Sequence, residues 1–284
     1  MNFPTGKPHV SFSEIKNWKE CAFRHKLLYI DKLETWEDNP YADFGTIVHN
    51  QIELFLKGEP FDIDKAKAEI DAAWDTKNYD SPEYIQKVTE SRASFGSKYV
   101  HDYRPFWHKS AENILSSFSE WIDSTFPGWE YVSAEEQLYE EINDSDMKFK
   151  GFIDCIIKTK PKSGGKEVYW VIDWKSTGKA GWWYKKRRDF LTLSQIGFYK
   201  SYWAEKNNIP LSQVRTAYAF LKRGAPKGDC IELFKVSAGP KFVEKTDKLL
   251  KSMIFTVNRG FFPKNTDGCK FCPFKDTEHC DAGW

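Results

Sequence analysis

The chain has 284 residues, of which 40% are hydrophobic and 17% aromatic, so its composition excludes an intrinsically disordered protein. The formal net charge is +1, so any surface for a polyanion must come from local clusters of basic residues. No segment has the ~18 consecutive apolar residues of a membrane span, and the N-terminus lacks a signal-peptide pattern. We therefore expect a cytoplasmic protein with no membrane partner.

The first part of the chain has helical patterns. We predict helices at 11–30, 42–57 and 64–126, with breaks in the last stretch near Ser81–Pro82 and Tyr103–Pro105. Ser11 and Glu14 have the spacing of a capping box at the start of the first helix. We interpret 1–284 as a single domain in which 60–126 is a helical insertion.

The second part alternates between strands and helices. Strands are predicted at 130–142, 147–159, 167–175, 213–222 and 230–236, with turns at Asn143–Asp146 and Pro161–Gly165 and helices at 190–207 and 240–258. This order predicts an α/β fold with a mixed β-sheet flanked by helices.

Two carboxylates occupy buried stretches of predicted strands. Asp154 lies in Gly151–Asp154 (GFID), and Asp173 begins Asp173–Lys175 (DWK). Burial makes carboxylates costly to ionise, and two on neighbouring strands repel each other unless a cation lies between them. Oxygen ligands favour Mg²⁺ or Mn²⁺. Lys175 shares a strand face with Asp173, so its ammonium can orient a water or offset charge on a phosphate.

Four further residues are candidates for the same site. His49, on an apolar helix, is either a core histidine or a third metal ligand. Glu136 is a candidate support for the metal through water or a second ion, with its neighbour Glu135 facing the other way. Gln195 and Tyr199 share a helix face, either as ordinary polar positions or as groups that hold the lysine or a phosphate.

The cysteines indicate a second centre. Cys269-x-x-Cys272 followed by Cys280 supplies three thiols, and Cys21 near the start of the chain is the candidate for the fourth. In a reducing compartment, such a set is typical of metal or cluster binding rather than disulfides. Zn²⁺ suits four thiolates, and His279 can replace one of them. Cys155 and Cys230 lie in apolar strands and are interpreted as core residues.

The ordered set Gly45–His49, Gly151–Asp154, Asp173–Lys175 and Gln195-x-x-x-Tyr199 resembles the RecB-type nucleases of the PD-(D/E)xK superfamily. The resemblance implies a restriction-endonuclease-like core. It implies His49, Asp154, Asp173 and the backbone carbonyl of Trp174 as metal ligands, and Lys175 as the catalytic lysine. Gln195 and Tyr199 would belong to the trailing motif. The nominal Pro-Asp of the superfamily is here Gly-x-x-Asp, a form common in this branch.

The cysteine arrangement is similar to that of the iron–sulfur-containing branch, which includes the CRISPR-adaptation nucleases and AddB. This resemblance implies that Cys21, Cys269, Cys272 and Cys280 bind a [4Fe–4S] cluster, with Zn²⁺ as the alternative. Residues 262–284 together with Cys21 would then form an iron–sulfur clasp that ties the first helix to the C-terminus.

Segment 178–190 (GKAGWWYKKRRDF) follows the DWK motif directly and combines basic with aromatic residues. Its basic members can neutralise phosphates and its aromatic members can stack on bases, although charged loops are often only solvated surface. The candidate DNA-binding residues are Lys179, Trp182, Trp183, Lys185, Lys186, Arg187 and Arg188.

Together these observations predict a Mg²⁺- or Mn²⁺-dependent DNA nuclease, an exonuclease acting on single strands or duplex ends in recombination, repair or processing. The alternatives are a non-catalytic DNA-binding subunit of a larger complex and a structure-specific endonuclease. The sequence has no G-x-x-x-x-G-K-[ST] motif, so it encodes no helicase motor of that type. A helicase, recombinase or CRISPR-integration complex is a candidate partner.

Overall fold

The computed structural model describes residues 3–35, 38–94, 98–160 and 164–281. Parts of three predicted features lie outside the described residues: 95–97 of the helical insertion, 161–163 of a turn, and 282–284 of the clasp region. Across the described residues the architecture is a six-stranded mixed sheet flanked by helices, which confirms the predicted fold class.

The helices lie close to their predicted positions. They are α1 Phe12–Glu20, α2 Ala22–His25, α3 Pro40–Leu56, α4 Ile63–Lys77, α5 Pro82–Ser94, α6 Arg104–Thr125, α7 Phe190–Lys206 and α8 Pro240–Asn258. The strands are β1 His9–Ser11, β2 Glu130–Glu141, β3 Lys148–Thr159, β4 Val168–Thr177, β5 Val214–Lys222 and β6 Ile231–Val236. Short turns of π-helix at Lys26–Ile30 and of 3₁₀-helix at Lys186–Arg188, Leu211–Gln213 and Thr266–Phe271 complete the regular structure.

The predicted helix 11–30 is interrupted at Cys21, which has extended backbone angles (φ −163°, ψ 112°). Helix α1 begins as expected, with Oγ of Ser11 accepting from the backbone N–H of Glu14 at 3.3 Å. The second half of the capping box is absent, because the buried Glu14 carboxylate pairs instead with Nε2 of His25 at 3.0 Å. The break turns Cys21 toward the C-terminal segment, where the N–H of Asn265 approaches its Sγ at 3.4 Å.

Strand β3 is the centre of the sheet. Strand β2 pairs antiparallel along one edge of β3, from Lys148 to Lys158. The other edge is shared, because β1 pairs parallel with residues 148–150 and β4 pairs antiparallel with residues 155–159. Among the described strands, none therefore pairs with residues 151–154 on that edge.

The rest of the sheet extends from β4, which pairs parallel with β5, and β5 pairs antiparallel with β6. One hydrophobic core lies between the sheet and helices α1, α7 and α8. A second core lies between the opposite face and helices α3, α4 and α6. Among the described residues, no helix is long and apolar enough to cross a membrane.

Candidate active site

The two acidic residues lie opposite each other where β3 and β4 separate. Cys155 pairs with Ile172, which places Asp154 and Asp173 in the next opposed positions of the antiparallel register. The backbone N–H of Trp174 donates to Oδ2 of Asp154 at 2.7 Å. The side chains of Asp154 and Asp173 are only 15% and 2% exposed. The strands thus hold two carboxylates together in a nearly dry environment.

This environment disfavours negative charge. Burial raises the pKa of Asp154 well above its ordinary value, and the neighbouring Asp173 raises it further. Burial also raises the pKa of Asp173, against the opposing effect of Lys175. A cation between the two carboxylates would offset their repulsion and favour their ionised forms.

Lys175 supplies one positive charge at this position. Its Nζ lies 2.6 Å from Oδ2 of Asp173. Burial opposes the ammonium charge, but Asp173 and Asp154 outweigh burial and raise the pKa of Lys175. The lysine therefore remains protonated beside the acidic pair.

His49 approaches the pair from α3. Its helix packs closely on β4, since a Cβ at Gly45 would already lie 3.6 Å from Cβ of Ser176. One turn later, Nδ1 of His49 lies 3.9 Å from Oδ2 of Asp154, while its buried Nε2 has no hydrogen-bond partner. Burial, and then the charge of Lys175, lower the pKa of His49 to about 4. The imidazole is therefore neutral at physiological pH, as a metal ligand must be.

Helix α7 closes the opposite side. Nε2 of Gln195 donates to the hydroxyl of Tyr199 at 3.0 Å. The ring of Tyr199 packs so closely on β3 that a Cβ at Gly151 would lie 2.7 Å from its Cε1. The glycine of the GFID motif is thus required by the approach of Tyr199.

These residues line one cavity. Its walls include the predicted His49, Asp154, Asp173, Trp174, Lys175, Gln195 and Tyr199. They also include His9, Ser11, Phe12, Ser13 and Lys150, which the sequence analysis did not single out for the site, and Gly151 and Phe152, which it named only as part of the GFID motif. Most of the second group comes from β1 and the start of α1, and β1 is too short to give a strand pattern.

The structure does not bring Glu136 to the acidic pair. Its carboxylate accepts from the hydroxyl of Ser133, from Nε1 of Trp203 at 3.2 Å and from Nζ of Lys206 at 3.0 Å. Glu135, opposite Asp154 in the β2–β3 register, is instead close enough for Asp173 to contribute to its raised pKa, after burial and Glu53. Glu135 has a left-handed backbone (φ 48°), which interrupts the regular alternation of side chains along β2. A sequence pattern of strict alternation does not reveal this interruption.

The donor set fits a hard divalent cation. Among the described residues, no three His, Cys, Asp or Glu side chains form a ready-made metal cluster. The buried carboxylates of Asp154 and Asp173 and the neutral imidazole of His49 nevertheless offer oxygen and nitrogen donors around one cavity. The partnerless Nε2 of His49 and the raised pKa values of both carboxylates show that the protein alone leaves these groups incompletely satisfied.

The four cysteines of the predicted clasp line a second pocket, together with Arg24 and Lys264. None of Cys21, Cys269, Cys272 and Cys280 forms a disulfide. Burial raises the pKa of the Cys280 thiol, and the other three cysteines act in the same direction, although Lys264 opposes them. The four thiols thus share one pocket, but among the described residues they do not form a ready-made group of metal ligands.

The basic segment 178–190 divides into packed and exposed residues. Trp182 is only 8% exposed and packs on Tyr218 and Phe220, so the structure does not leave it free to stack on a base. Arg187 forms a 2.7 Å ion pair with Glu232.

Phe190 packs on Phe242, and most of the other side chains of this segment are available to solvent. Trp183 and its neighbour Tyr184 are 66% and 68% exposed. The exposed basic residues are Lys179, Lys185, Lys186 and Arg188, of which Lys186 lies over Trp182 and Arg188 over Tyr184.

The structure therefore places a buried acidic pair, with a lysine two residues after the second carboxylate, at the edge where β3 and β4 separate. Residues 9–277 match the family model of the PD-(D/E)XK nuclease superfamily. The chain belongs to this superfamily, whose members typically use divalent metals such as Mg²⁺.

A solved structure with a similar fold is that of a "putative exonuclease" from Eubacterium rectale. The two chains are 12% identical, with a TM-score of 0.50, and the match covers 93% of this chain and 86% of the other. At this identity the likeness concerns the fold. No curated protein sequence matches the chain.

Proposed function

We propose that the protein is a Mg²⁺- or Mn²⁺-dependent deoxyribonuclease, with His49, Asp154, Asp173 and the carbonyl of Trp174 as the metal ligands. The observation that carries the proposal is the buried, opposed pair Asp154 and Asp173 with Lys175 beside it. A bound divalent ion would supply Lewis-acid polarisation of the phosphate and lower the pKa of a water. The superfamily membership supports the same reaction class.

The protein's own groups divide the remaining work. Lys175 remains cationic and can offset charge that builds on a phosphate oxygen or orient the attacking water. Gln195 and Tyr199 fix the wall of the cavity facing Gly151 and limit the positions that a phosphate can take. Glu135, rather than Glu136, is positioned to add negative charge near the pair.

We further propose exonuclease action on single strands or duplex ends. The exposed residues of segment 178–190 support a nucleic-acid surface, since Lys179, Lys185 and Lys186 make no ion pair among the described residues. The exposed rings of Trp183 and Tyr184 offer planar faces for bases. Recombination, repair or processing of DNA, with a helicase, recombinase or CRISPR-integration complex as partner, is the proposed setting.

For the second pocket we propose a structural [4Fe–4S] cluster on Cys21, Cys269, Cys272 and Cys280, with Zn²⁺ as the alternative. The shared pocket of the four thiols supports this assignment. The cluster would tie the break after α1 to the C-terminal segment.

The test is cleavage of end-labelled single-stranded, duplex and circular DNA by the wild type and by Lys175→Ala, with Mg²⁺ or Mn²⁺ added. We expect the wild type to degrade DNA with ends and the variant to lose at least about 100-fold in rate. Lys248→Ala, an exposed lysine on α8 outside the site, is the control for a general loss of charge. Absence of cleavage on every substrate would favour a DNA-binding subunit, and cleavage of circles would favour an endonuclease.

A further inference from the structure

The cavity extends beyond the acidic centre along the open edge of β3. Lys150 and Phe152 lie on this strand before Asp154, and both line the cavity together with His9 of β1. The proposed metal chemistry uses none of these three side chains. Lys150 pairs with Ser11 of β1, and Phe152 lies between Lys150 and Asp154 on β3, so both neighbour the acidic pair within this cavity.

The lysines of β3 differ between its two ends. Near the C-terminal end, Lys158 pairs with Glu130 and Glu167 at 2.9 and 3.3 Å, and Lys160 pairs with the same two carboxylates at 3.8 and 3.5 Å. At the other end, Lys148 and Lys150 make no ion pair among the described residues. Within the described part of the chain, the two lysines at the cavity end of β3 thus lack an ion pair, although Glu141 is the cross-strand neighbour of Lys148.

Aromatic rings accompany these free ammonium groups. Nζ of Lys150 lies 5.9 Å from the ring centroid of Phe152, and Nζ of Lys148 lies 5.2 Å from that of Tyr139. Tyr139 is the cross-strand partner of Lys150, so the two share a sheet face. Phe152, which lines the cavity, is 43% exposed, and Tyr139 is 37% exposed.

The positive character of this end is visible in a neighbouring group. Burial lowers the pKa of His9, and the charges of Lys150 and Lys7 lower it further. The ring of His9 also contacts Tyr139, with centroids 5.8 Å apart. Free cations beside exposed π-faces are the combination that single-stranded nucleic acid requires, because phosphates need charge and unstacked bases need a planar surface.

We propose that this surface, formed by Lys148, Lys150, Phe152 and Tyr139, is a track for single-stranded DNA that leads to the acidic centre. Lys148 and Lys150 contact backbone phosphates, and Phe152 stacks on the base next to the phosphate that is cut. The assignment rests on the proposed nuclease function and deepens it, because it names unpaired DNA as the form that reaches the centre. A base pair would have to open before its strand could stack on Phe152.

The experiment measures binding rather than cleavage. The 284-residue protein without added divalent ion is titrated into a labelled oligodeoxythymidine of about 20 nucleotides, longer than the ~4–16 nucleotides that an OB-fold single-strand site covers. A duplex of equal length is titrated in parallel. The variants are Lys150→Ala, Phe152→Ala and Phe152→Leu, and the control is Lys160→Ala, a nearby lysine whose charge is already paired.

We expect Phe152→Ala to weaken single-strand binding by about 5- to 150-fold, with a smaller effect on the duplex. Phe152→Leu, which keeps an apolar side chain, should lose nearly as much because it lacks a π-face. Lys150→Ala should reduce the slope of log affinity against log salt by about 0.7. Lys160→Ala should bind as the wild type does.

Unchanged single-strand affinity in folded Lys150→Ala and Phe152→Ala would overturn the proposal, as would an equal loss for single strand and duplex. These results do not depend on catalysis. A protein that binds through this track but cuts nothing would contradict the proposed nuclease function alone. A protein that cuts DNA with no contribution from the track would contradict this inference alone.

Discussion

The backbone N–H of Trp174 donates to Oδ2 of Asp154, so the strands that carry the acidic pair are tied at the point where they separate. This bond and the charge of Lys175 favour the ionised carboxylate, but burial and Asp173 prevail and raise its pKa. Without a cation, the ionised acidic pair therefore lowers the stability of the folded protein. This effect on stability can be measured in the absence of DNA.

The first prediction is that Asp154→Asn stabilises the protein in the presence of a chelator. The pKa of Asp154 is higher in the folded than in the unfolded protein, so between these two pKa values the native state binds more protons than the unfolded state. The wild type therefore loses stability as the pH rises from the unfolded-state pKa to the folded-state pKa. Asparagine does not titrate and can still accept from Trp174. The gain should be absent in acid and reach on the order of 1 kcal/mol or more at neutral pH.

Thermal denaturation of both proteins over a pH series measures this effect. Asp146→Asn, an exposed carboxylate in the β2–β3 turn, serves as the control and should not change the pH profile. A variant less stable than the wild type at neutral pH would show that the carboxylate charge is well compensated by the protein itself.

The second prediction concerns divalent ions. Since Mg²⁺ or Mn²⁺ would bind only the folded site, an ion at 100 times its dissociation constant should stabilise the wild type by about 2.7 kcal/mol. Asp173→Asn removes one proposed ligand and His49→Gln another, so both should lose most of this shift. Melting with and without the ion gives the comparison, and an equal shift in Asp173→Asn would place the ion elsewhere.

The third prediction follows from the packing of Tyr199 on Gly151. Gly151→Ala would place Cβ 2.7 Å from Cε1 of Tyr199, so the ring or the strand must move. We expect a loss of about 1–3 kcal/mol in stability and a clear loss of DNA cleavage.

Gly178→Ala is the matched control, because a Cβ there meets nothing within 4 Å and should leave stability and cleavage nearly unchanged. The double variant with Tyr199→Ala should lose less stability than the sum of the two single losses, because the clash of the new Cβ with the ring disappears with the ring. A double variant whose losses simply add would show that the two residues are not coupled.

The fourth prediction separates two adjacent glutamates. Glu136→Gln disturbs contacts with Trp203 and Lys206 and should lower stability with little effect on the metal dependence of cleavage. Glu135→Gln should leave stability nearly unchanged but shift the metal concentration that half-maximal cleavage requires, since Glu135 interacts with Asp173. Paired melting and metal-titration curves distinguish the two, and the reverse pattern would restore Glu136 as the supporting carboxylate.

The fifth prediction tests the clasp. Cys21→Ala should reduce the iron or zinc content of the purified protein and lower its melting temperature, because the remaining three thiols cannot close a four-thiolate site. Elemental analysis and the visible spectrum report the metal. Cys155→Ala, which removes a buried thiol of the core, should keep the metal content. A fully metallated Cys21→Ala would remove Cys21 from the ligand set.

Sequence reasoning located most elements because their patterns are local. The predicted helix 240–258 coincides with α8, and the strands agree within a few residues, since each has its own apolar periodicity. Strand β1 was not predicted because three residues are too few for a period. The break at Cys21 depends on contacts with Asn265, which local pattern cannot contain.

The same distinction between local patterns and contacts of distant residues applies to the candidate site. Asp154, Asp173 and Lys175 were identifiable because strand burial and the two-residue period act over short distances. Which of Glu135 and Glu136 lies near the acidic pair depends on the left-handed backbone of Glu135 in β2. Whether Trp182 is exposed depends on its packing against Tyr218 of β5. Lys150 and Phe152 became candidates only once β1 was placed beside β3 and the salt bridges of the other lysines were known.

The edge of β3 that β1 and β4 share also fixes the spacing between these two strands. Strand β1 ends its pairing at Lys150 and β4 begins at Cys155, and both are anchored to the same continuous strand. The distance from Lys150 to Cys155 is therefore set by one backbone and is roughly 16 Å at ~3.3 Å per residue. An insertion or deletion within β3 is therefore expected to change this spacing, whereas changes in the surrounding loops are not.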